Sequence, residues 1–250
     1  MDPRERFTAT VDDYRRHRPD YPEALIDWIV EDGGLSRGDR VVDLGCGTGI
    51  SSRQLAARGL AVIGVDPNEA MLEAARSQGG GVTYLRGDGE TLHLDPPKVQ
   101  AIVGGQSFHW LDLDRALPRF RELLAPGGRV IPFWNLRDAS QPLMAAYEAL
   151  LLRRCPEYAR VGAEPRAEAL MAHPRIRDRP EADLRQHVVP HHQRLDREGF
   201  FGRVWSSSYV RHDVKDPEAF DAALAALFDE HQEDGMVRFD YRAIALSFRP

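Results

Sequence analysis

The feature that most constrains this chain is the stretch VVDLGCGTGI at residues 41–50. An apolar run leads to Asp43, and Gly45, Gly47 and Gly49 then occupy every second position. A glycine-rich turn between a strand and a helix lets a ligand approach the backbone without meeting a Cβ atom. The stretch therefore predicts a ligand-binding turn at the end of a buried strand.

Strand-like and helix-like segments alternate on both sides of this turn. Apolar runs such as LAVIGVD and RVIPFWN alternate with amphipathic segments such as NEAMLEAARSQ. This alternation predicts a parallel sheet with right-handed crossovers. We expect an α/β fold with a Rossmann-like, seven-stranded, mostly parallel sheet, helices on both faces and a small helical cap insertion.

Changes of pattern divide the chain into four segments. Residues 1–21 are polar and charged, and we expect them to form an N-terminal lid segment; residues 22–136 form the Rossmann-like core. Residues 137–187 begin as a helix and continue as an Arg-, Pro- and His-rich stretch, which predicts a cap inserted over the sheet. Residues 188–250 end in an apolar strand and are predicted to complete the core sheet.

Composition narrows the class of protein. The chain has 250 residues and a net charge of −6, so neither nucleic acid nor a membrane is expected as a partner. Two cysteines, Cys46 and Cys155, exclude a disulfide scaffold and predict a cytoplasmic protein. The histidines lack the ligand spacing of a zinc site, so no metal is expected. The sequence leaves monomer and homodimer open.

Acidic residues at the ends of the predicted strands distinguish among nucleotide-type ligands. Asp43 precedes the turn, where a carboxylate suits a cationic amine and does not suit a pyrophosphate. Asp66 ends the second strand and can accept hydrogen bonds from both ribose hydroxyls, and Asp88 after the third can accept one from an adenine amino group. An amino acid group, an unphosphorylated ribose and an adenine together indicate S-adenosylmethionine (SAM).

Two alternative functions stay open. Dinucleotide sites use the pattern G-x-G-x-x-G, and Gly45 and Gly47 match it. Ile50 stands where the third glycine belongs, since Gly49 comes one residue early. The alternatives are therefore a SAM-binding protein without methyl transfer and a nicotinamide-dependent oxidoreductase.

Four motifs together resemble those of the class I SAM-dependent methyltransferases, in that family's order and spacing. They are VVDLGCGTG, VIGVDPNEAML, GDGETL and LLAPGGRVIPFWN. The cofactor-binding residues that these motifs and their flanking segments imply are Tyr14, Asp43, Gly45, Cys46, Gly47, Gly49, Asp66, Pro67, Met71, Gly87, Asp88, Gly89 and Gln106. We interpret Cys46 as a small packing residue and not as a nucleophile.

Three further segments resemble the trans-aconitate methyltransferase-like group, also called methyltransferase type 11. They are YRRHRPDYP, QSFHWLDLDRAL and VWSSSYV. The resemblance implies SAM as cofactor and a small organic acceptor. It favours O-methylation of a carboxylate or a hydroxyl and leaves N- and C-methylation open.

Candidate catalytic residues follow from where an acceptor is expected, beyond the carboxyl end of the fourth strand. His109 lies there and is suited to act as a base for a hydroxyl acceptor, whereas a carboxylate acceptor needs no base. Arg18 and His17 are candidates to bind an anionic acceptor if the N-terminal segment folds over the site. Candidate acceptor-pocket residues, with ordinary packing as the alternative, are Trp110, Trp134, Arg137 and Trp205.

Overall fold

The computed structural model describes residues 17–95, 98–156, 158 and 163–250. Most of the predicted lid segment, residues 1–21, therefore lies outside the described residues. Tyr14, which the motifs imply as a cofactor contact, also lies outside them.

Seven strands form one sheet. They are β1 (Arg40–Leu44), β2 (Ala61–Asp66), β3 (Thr83–Arg86), β4 (Val99–Gly105), β5 (Leu124–Arg137), β6 (Arg185–Leu195) and β7 (Val237–Ser247). Their order is β3-β2-β1-β4-β5-β7-β6, and of these seven strands β7 runs antiparallel to its neighbours. The predicted α/β, Rossmann-like, mostly parallel sheet is confirmed.

Helices connect the strands. They are α1 (Glu23–Asp32), α2 (Ile50–Ala57), α3 (Glu69–Ser77), α4 (Leu113–Leu123), α5 (Pro142–Arg154), α6 (Ala163–Ala172), α7 (Pro174–Arg177), α8 (Arg197–Trp205), α9 (Ser208–Asp213) and α10 (Pro217–His231). Short 3₁₀ turns cover Phe108–Trp110 and Pro180–Ala182. Among the helices of the described chain, none combines the length and hydropathy needed to cross a bilayer.

Alternate residues of each strand point to opposite faces of the sheet, and helices cover both faces. Val41 of β1 packs in one hydrophobic cluster with Leu25 of α1, and the adjacent Val42 packs in another with Phe120 of α4. All four side chains are fully buried. This double coverage explains why the central strands read as continuous apolar runs.

The helices of the predicted cap segment pack in two different places. Tyr147 of α5 belongs to the cluster formed by Phe200 and Phe220 of α8 and α10. Leu170 of α6 packs instead in the cluster on the α4 face of the sheet. The boundary expected after residue 187 falls inside β6, so the cap segment supplies the start of a sheet strand.

The stretch REGFFGRVWSSSYV reads as one helix in sequence and folds as two, α8 and α9. The hydroxyl of Ser206 donates to the carbonyl oxygen of Arg203 at 2.7 Å. Such side-chain bonds compete with the helical ladder. Ser207 then adopts an extended conformation, and the chain turns between the two helices.

Candidate active site

A cavity of about 580 Å³ opens at the carboxyl ends of the central strands. That volume suits a nucleoside-sized ligand. Ten of its lining residues were predicted from the sequence: Gly45, Gly47, Asp66, Pro67, Met71, Gly87, Asp88, Gly89, Gln106 and Trp110. Seven were not: Leu44, Val65, Asn68, Glu90, Gly105, Ser107 and Leu111. We call this the large cavity.

The glycines of the turn after β1 serve different purposes. Gly45 has a φ of +64°, and a Cβ atom there would clash with the side chain of Ser107. Ser107 is fixed in place because its hydroxyl donates to the carbonyl oxygen of Leu44 at 2.5 Å. Gly47 has a φ of +54° and faces open space, so it is the position where a ligand can approach bare backbone. Gly49 lines neither described cavity and packs against Tyr84.

Asp66 connects the end of β2 to this turn. Its Oδ2 accepts a hydrogen bond from the Gly47 amide at 2.9 Å, and its Oδ1 accepts one from the Asn68 amide at 2.8 Å. Burial raises the pKa of Asp66, and the two amide bonds act against that rise. Each oxygen retains acceptor capacity toward the large cavity, as contact with ribose hydroxyls requires.

Asp43 lies behind the turn and lines neither described cavity. Its Oδ2 accepts hydrogen bonds from the hydroxyls of Ser51 at 2.7 Å and Ser52 at 2.6 Å, at the start of α2. Burial raises its pKa to about 6, although both serine hydrogen bonds lower it. The carboxylate thus supports the turn and the N-terminus of α2. Its predicted contact with a ligand amine stays a prediction.

Asp88 and Gln106 frame the large cavity at different places. Oδ1 of Asp88 accepts hydrogen bonds from the amide and the hydroxyl of Thr91, at 2.9 and 2.7 Å. Gln106 has a φ of +60°, which is strained for a residue with a side chain. Its amide donates to the Phe133 carbonyl at 2.9 Å, and its Nε2 donates to that of Asn135 at 3.1 Å. Strain of this kind clusters at functional sites.

A second cavity of about 30 Å³, the small cavity, adjoins the large one. Gly45, Gly105 and Gln106 line both. Arg18 and Cys46 line the small cavity as well. Burial and the charges of the nearby Asp43 and Asp66 raise the pKa of the Cys46 thiol well above its ordinary value. This environment disfavours a thiolate nucleophile and favours the packing interpretation.

Two predicted catalytic histidines lie outside both described cavities. His109 is part of the 3₁₀ turn after β4, with its ring centroid 4.8 Å from that of Trp110. The imidazole of His17 packs against Gly202 of α8 so closely that a Cβ atom would not fit between them. Their catalytic roles stay predictions.

The candidate acceptor-pocket residues divide in three ways. Trp110 lines the large cavity. Trp134 is fully buried in the core on the α4 face of the sheet, and half-buried Trp205 donates from Nε1 to Asp221 at 2.8 Å. These two side chains therefore pack against other elements and line neither described cavity. Arg137 also lines neither described cavity, and its Nη1 donates to the Tyr209 hydroxyl at 2.6 Å.

The sequence prediction missed four polar residues that line the small cavity. They are Thr48, Ser51, Asn135 and Arg203. Thr48 and Ser51 belong to the glycine turn and the first turn of α2, so their position was within reach of the motif. Arg203 lies in a helix far along the chain, and only the folded sheet brings it there. Within the described part of the chain, no group of three or more histidine, cysteine or acidic side chains is placed to hold a metal ion.

Comparison with known proteins finds similarity to methyltransferases, mainly over the first half of the chain. Residues 41–128 match the family model described as a methyltransferase domain. An uncharacterized methyltransferase of Mycobacterium tuberculosis is 40% identical over 132 residues, which is 53% of each chain. The malonyl-[acyl-carrier protein] O-methyltransferase of Pectobacterium atrosepticum is 39% identical over 104 residues, which is 41% of each. The chain thus spans about half the length, or less, of these relatives.

A solved structure extends the likeness to nearly the whole chain. It is a candidate type II methyltransferase of Anaeromyxobacter dehalogenans, 26% identical, with a TM-score of 0.68. The superposition covers 93% of this chain and 97% of that one. A structure of a methyltransferase candidate from an antibiotic biosynthesis pathway of Anabaena variabilis shares the fold at 17% identity and a TM-score of 0.60, over 92% of this chain and 98% of that one.

Proposed function

Because the chain carries a methyltransferase domain over residues 41–128 and the fold of the class I SAM-dependent methyltransferases, we propose that it transfers a methyl group from SAM to a small organic acceptor, preferentially to oxygen. The observation that carries the proposal is the placement of Asp66. Its carboxylate is tied to the Gly47 amide and faces a cavity large enough for a nucleoside. We also propose that the chain belongs to the trans-aconitate-type branch. Methyl transfer to a small acceptor does not depend on that assignment.

The residues of the large cavity fit the parts of SAM. Asp66 is placed to hold the ribose, Asp88 to contact the adenine, and the backbone of Gly45 and Gly47 to face the amino acid end. Met71 and Leu111 supply apolar surface in the same cavity. Bound SAM supplies an electrophilic methyl group, so the chain has to orient the acceptor and exclude water. Trp110 and Gln106, at the cavity wall, are placed to do both.

Two carboxylates support SAM over a pyrophosphate-bearing cofactor. Asp66 already accepts from the Gly47 amide, which a bound phosphate would otherwise use. Its negative charge opposes a phosphate group at that amide. The carboxylate of Asp43 in β1 likewise takes up the hydroxyls of Ser51 and Ser52 at the start of α2. A nicotinamide-dependent oxidoreductase is therefore the weaker alternative. The second alternative is a protein that binds SAM without methyl transfer. Formation of a methylated product distinguishes a methyltransferase from such a protein.

Two observations support oxygen as the methylated atom. The relative from Pectobacterium atrosepticum is by name an O-methyltransferase, and its similarity covers 104 residues of this chain. His109, the candidate base, lines neither cavity, and a carboxylate oxygen is the acceptor that needs no base. We propose a small acceptor, no nucleic acid or membrane partner, and a cytoplasmic location.

Calorimetric titration with S-adenosylhomocysteine, the product form of the cofactor, tests the proposal. We expect Asp66→Ala to weaken binding at least about tenfold, or about 1.4 kcal/mol. Glu73→Ala is the matched control, because this exposed residue of α3 removes the same charge close by. Unchanged affinity in Asp66→Ala, or tight binding of NADH instead, would contradict the proposal. A mass-spectrometric screen with SAM and candidate acceptors then tests methyl transfer itself.

A further inference from the structure

We propose that the small cavity is a carboxylate-binding site in which Arg203 is the principal cationic partner. The inference rests on the proposed function for the identity of the ligand, since the small cavity adjoins the large one. It goes further by naming the chemical group that the site takes and the residue that selects it.

Arg203 is a buried cation that has no acidic partner among the described residues. Its side chain belongs to a residue only 5% exposed, and its Nε donates to the Tyr241 hydroxyl at 2.7 Å. Its Nη1 donates to Ser207 Oγ at 3.3 Å. Within the described chain, no carboxylate lies in ion-pair contact with this guanidinium. A buried charge that is hydrogen-bonded but not neutralised is costly, and an anionic ligand would remove that cost.

Arg137, whose guanidinium charge acts on Tyr209 as that of Arg203 does, shows the contrast. Its Nη2 lies 3.2 Å from Oε2 of Glu148, which also accepts from the Tyr158 hydroxyl at 2.7 Å. Glu148 is thereby engaged by Arg137 and Tyr158. The fold thus supplies one of these two arginines with a carboxylate and leaves Arg203 at the cavity wall.

Tyr209 reports the positive potential of this region. Burial by itself would raise the pKa of its phenol, but the guanidinium charges of Arg137 and Arg203, the hydrogen bond with Ser207 and the charge of Arg18 together lower it below its ordinary value. Arg18 itself donates from Nη2 to the Ser206 carbonyl at 3.2 Å and lines the small cavity. Arg18 and Arg203 thus place two guanidinium groups at the wall of the small cavity.

Polar atoms at the small cavity also lack partners within the described residues. Oγ1 of Thr48 and Oδ1 of Asn135 are buried without a hydrogen bond, and their residues are 1% and 7% exposed. Buried polar atoms are normally satisfied, so these two indicate a ligand or a water molecule. A hydroxyl such as that of Thr48 can donate to a carboxylate oxygen.

The carboxylate has two sources, and the experiment separates them. Because the two cavities share Gly45, Gly105 and Gln106, the group belongs either to the amino acid end of the cofactor or to the acceptor. The variant is Arg203→Met, which removes the charge and keeps a long side chain. Arg194→Met is the control, since that exposed residue of β6 removes the same charge outside the site.

One arm measures the affinity for S-adenosylhomocysteine and for 5′-methylthioadenosine, which lacks the amino acid. If the cofactor supplies the carboxylate, Arg203→Met weakens the first at least tenfold and leaves the second unchanged. The other arm titrates acetate, succinate and benzoate, with their neutral amides, into protein saturated with S-adenosylhomocysteine. If the acceptor supplies it, the acids bind, the amides do not, and Arg203→Met abolishes the difference.

The proposal is overturned if Arg203→Met changes neither arm. Thermal unfolding checks that the variant is folded, so that a loss of binding can be separated from a loss of the fold. Should the variant fail to fold, Thr48→Val and the acid-against-amide comparison on the unaltered protein carry the test. Failure of S-adenosylhomocysteine to bind the unaltered protein would count against the proposed function. The acids and their amides are then titrated into the ligand-free protein, where a preference for the acids that Arg203→Met abolishes would still support the carboxylate site.

Discussion

The backbone amide of Gly47 donates a 2.9 Å hydrogen bond to Oδ2 of Asp66, so the turn after β1 is tied to the end of β2. The two strands are parallel neighbours, and Leu44 pairs with Val65 directly before these residues. The geometry of the turn therefore depends on the sheet register as well as on its own glycines. Variants that separate stability from ligand binding can test this arrangement.

Gly45→Ala and Gly47→Ala form a matched pair for this purpose. Both positions have a positive φ, which costs an alanine about 1–2 kcal/mol. At residue 45 the new Cβ also clashes with Ser107, so we expect the larger loss in the free energy of unfolding there, measured by urea denaturation. Gly47→Ala should instead mainly weaken S-adenosylhomocysteine binding. Equal stability losses in the two variants would contradict the packing role of Gly45.

Asp43 predicts a pH dependence of stability. Its pKa rises from an ordinary value of 3.8 to about 6 in the fold, so the folded state favours the protonated form. The stability that this group contributes is complete below about pH 4 and is lost as the pH rises through 6. One pKa unit corresponds to about 1.4 kcal/mol. Between pH 4 and 7, the free energy of unfolding of Asp43→Asn should therefore rise by up to about 3 kcal/mol relative to that of the unaltered protein.

Urea unfolding at several pH values checks that expectation, with Asp138→Asn as the control. The pKa of Asp138 is lowered, chiefly by its hydrogen bond from Ser140, so its contribution has the opposite sign and grows with rising pH. A difference between Asp43→Asn and the unaltered protein that stays constant with pH would show that Asp43 is ionised throughout.

Trp134 separates a packing role from an acceptor-pocket role. Its Nε1 is buried without a partner in the described structure, so Trp134→Phe removes an unsatisfied donor and keeps an aromatic ring. We expect a stability change below about 1.5 kcal/mol and unchanged ligand affinity. Trp134→Ala should cost about 3–5 kcal/mol. Trp110→Ala, at the wall of the large cavity, should weaken S-adenosylhomocysteine binding; if Trp134→Phe did so instead, the two roles would be reversed.

His109 tests whether the reaction uses a base. A general base for a hydroxyl acceptor would make His109→Ala lower kcat by about 10²–10⁴-fold. For a carboxylate acceptor, and with His109 outside both cavities, we expect kcat/KM to change less than about tenfold. Steady-state kinetics with an acceptor from the product screen decides between them. A large fall confined to kcat would restore His109 as the base and exclude a carboxylate acceptor.

The sequence predicted the large cavity well because its residues follow strands directly. Gly45, Asp66 and Asp88 lie at, or within two residues of, the ends of β1, β2 and β3. The ends of parallel strands meet at one edge of a sheet. Local pattern therefore fixes their position. The direction of the Asp43 side chain was not fixed in the same way. The residue is the fourth of the five residues of β1, and Ser51 and Ser52 compete for its carboxylate.

The acceptor side was harder to predict, for a physical reason. β5 is covered on both faces, so Phe133 and Trp134 are equally apolar in sequence although they face opposite sides of the sheet. No alternation shows which side opens to a cavity. The position of Arg203 was also not predictable from the sequence, because nothing in the pattern of α8 shows that this arginine faces the interior of the protein. Its position depends on the contact of α8 with Tyr241 of β7.

The insertion of β7 between β5 and β6 has a consequence for the order of assembly during synthesis. The five strands β1 to β5, which carry the nucleoside-facing edge, emerge from the ribosome before residue 140 and can pair among themselves. β6 has no such neighbour at that stage, because β7, the strand against which it pairs, is translated about forty residues later. A nascent chain can thus build the part of the sheet that forms the large cavity well before Arg203, at the wall of the small cavity, has been synthesised.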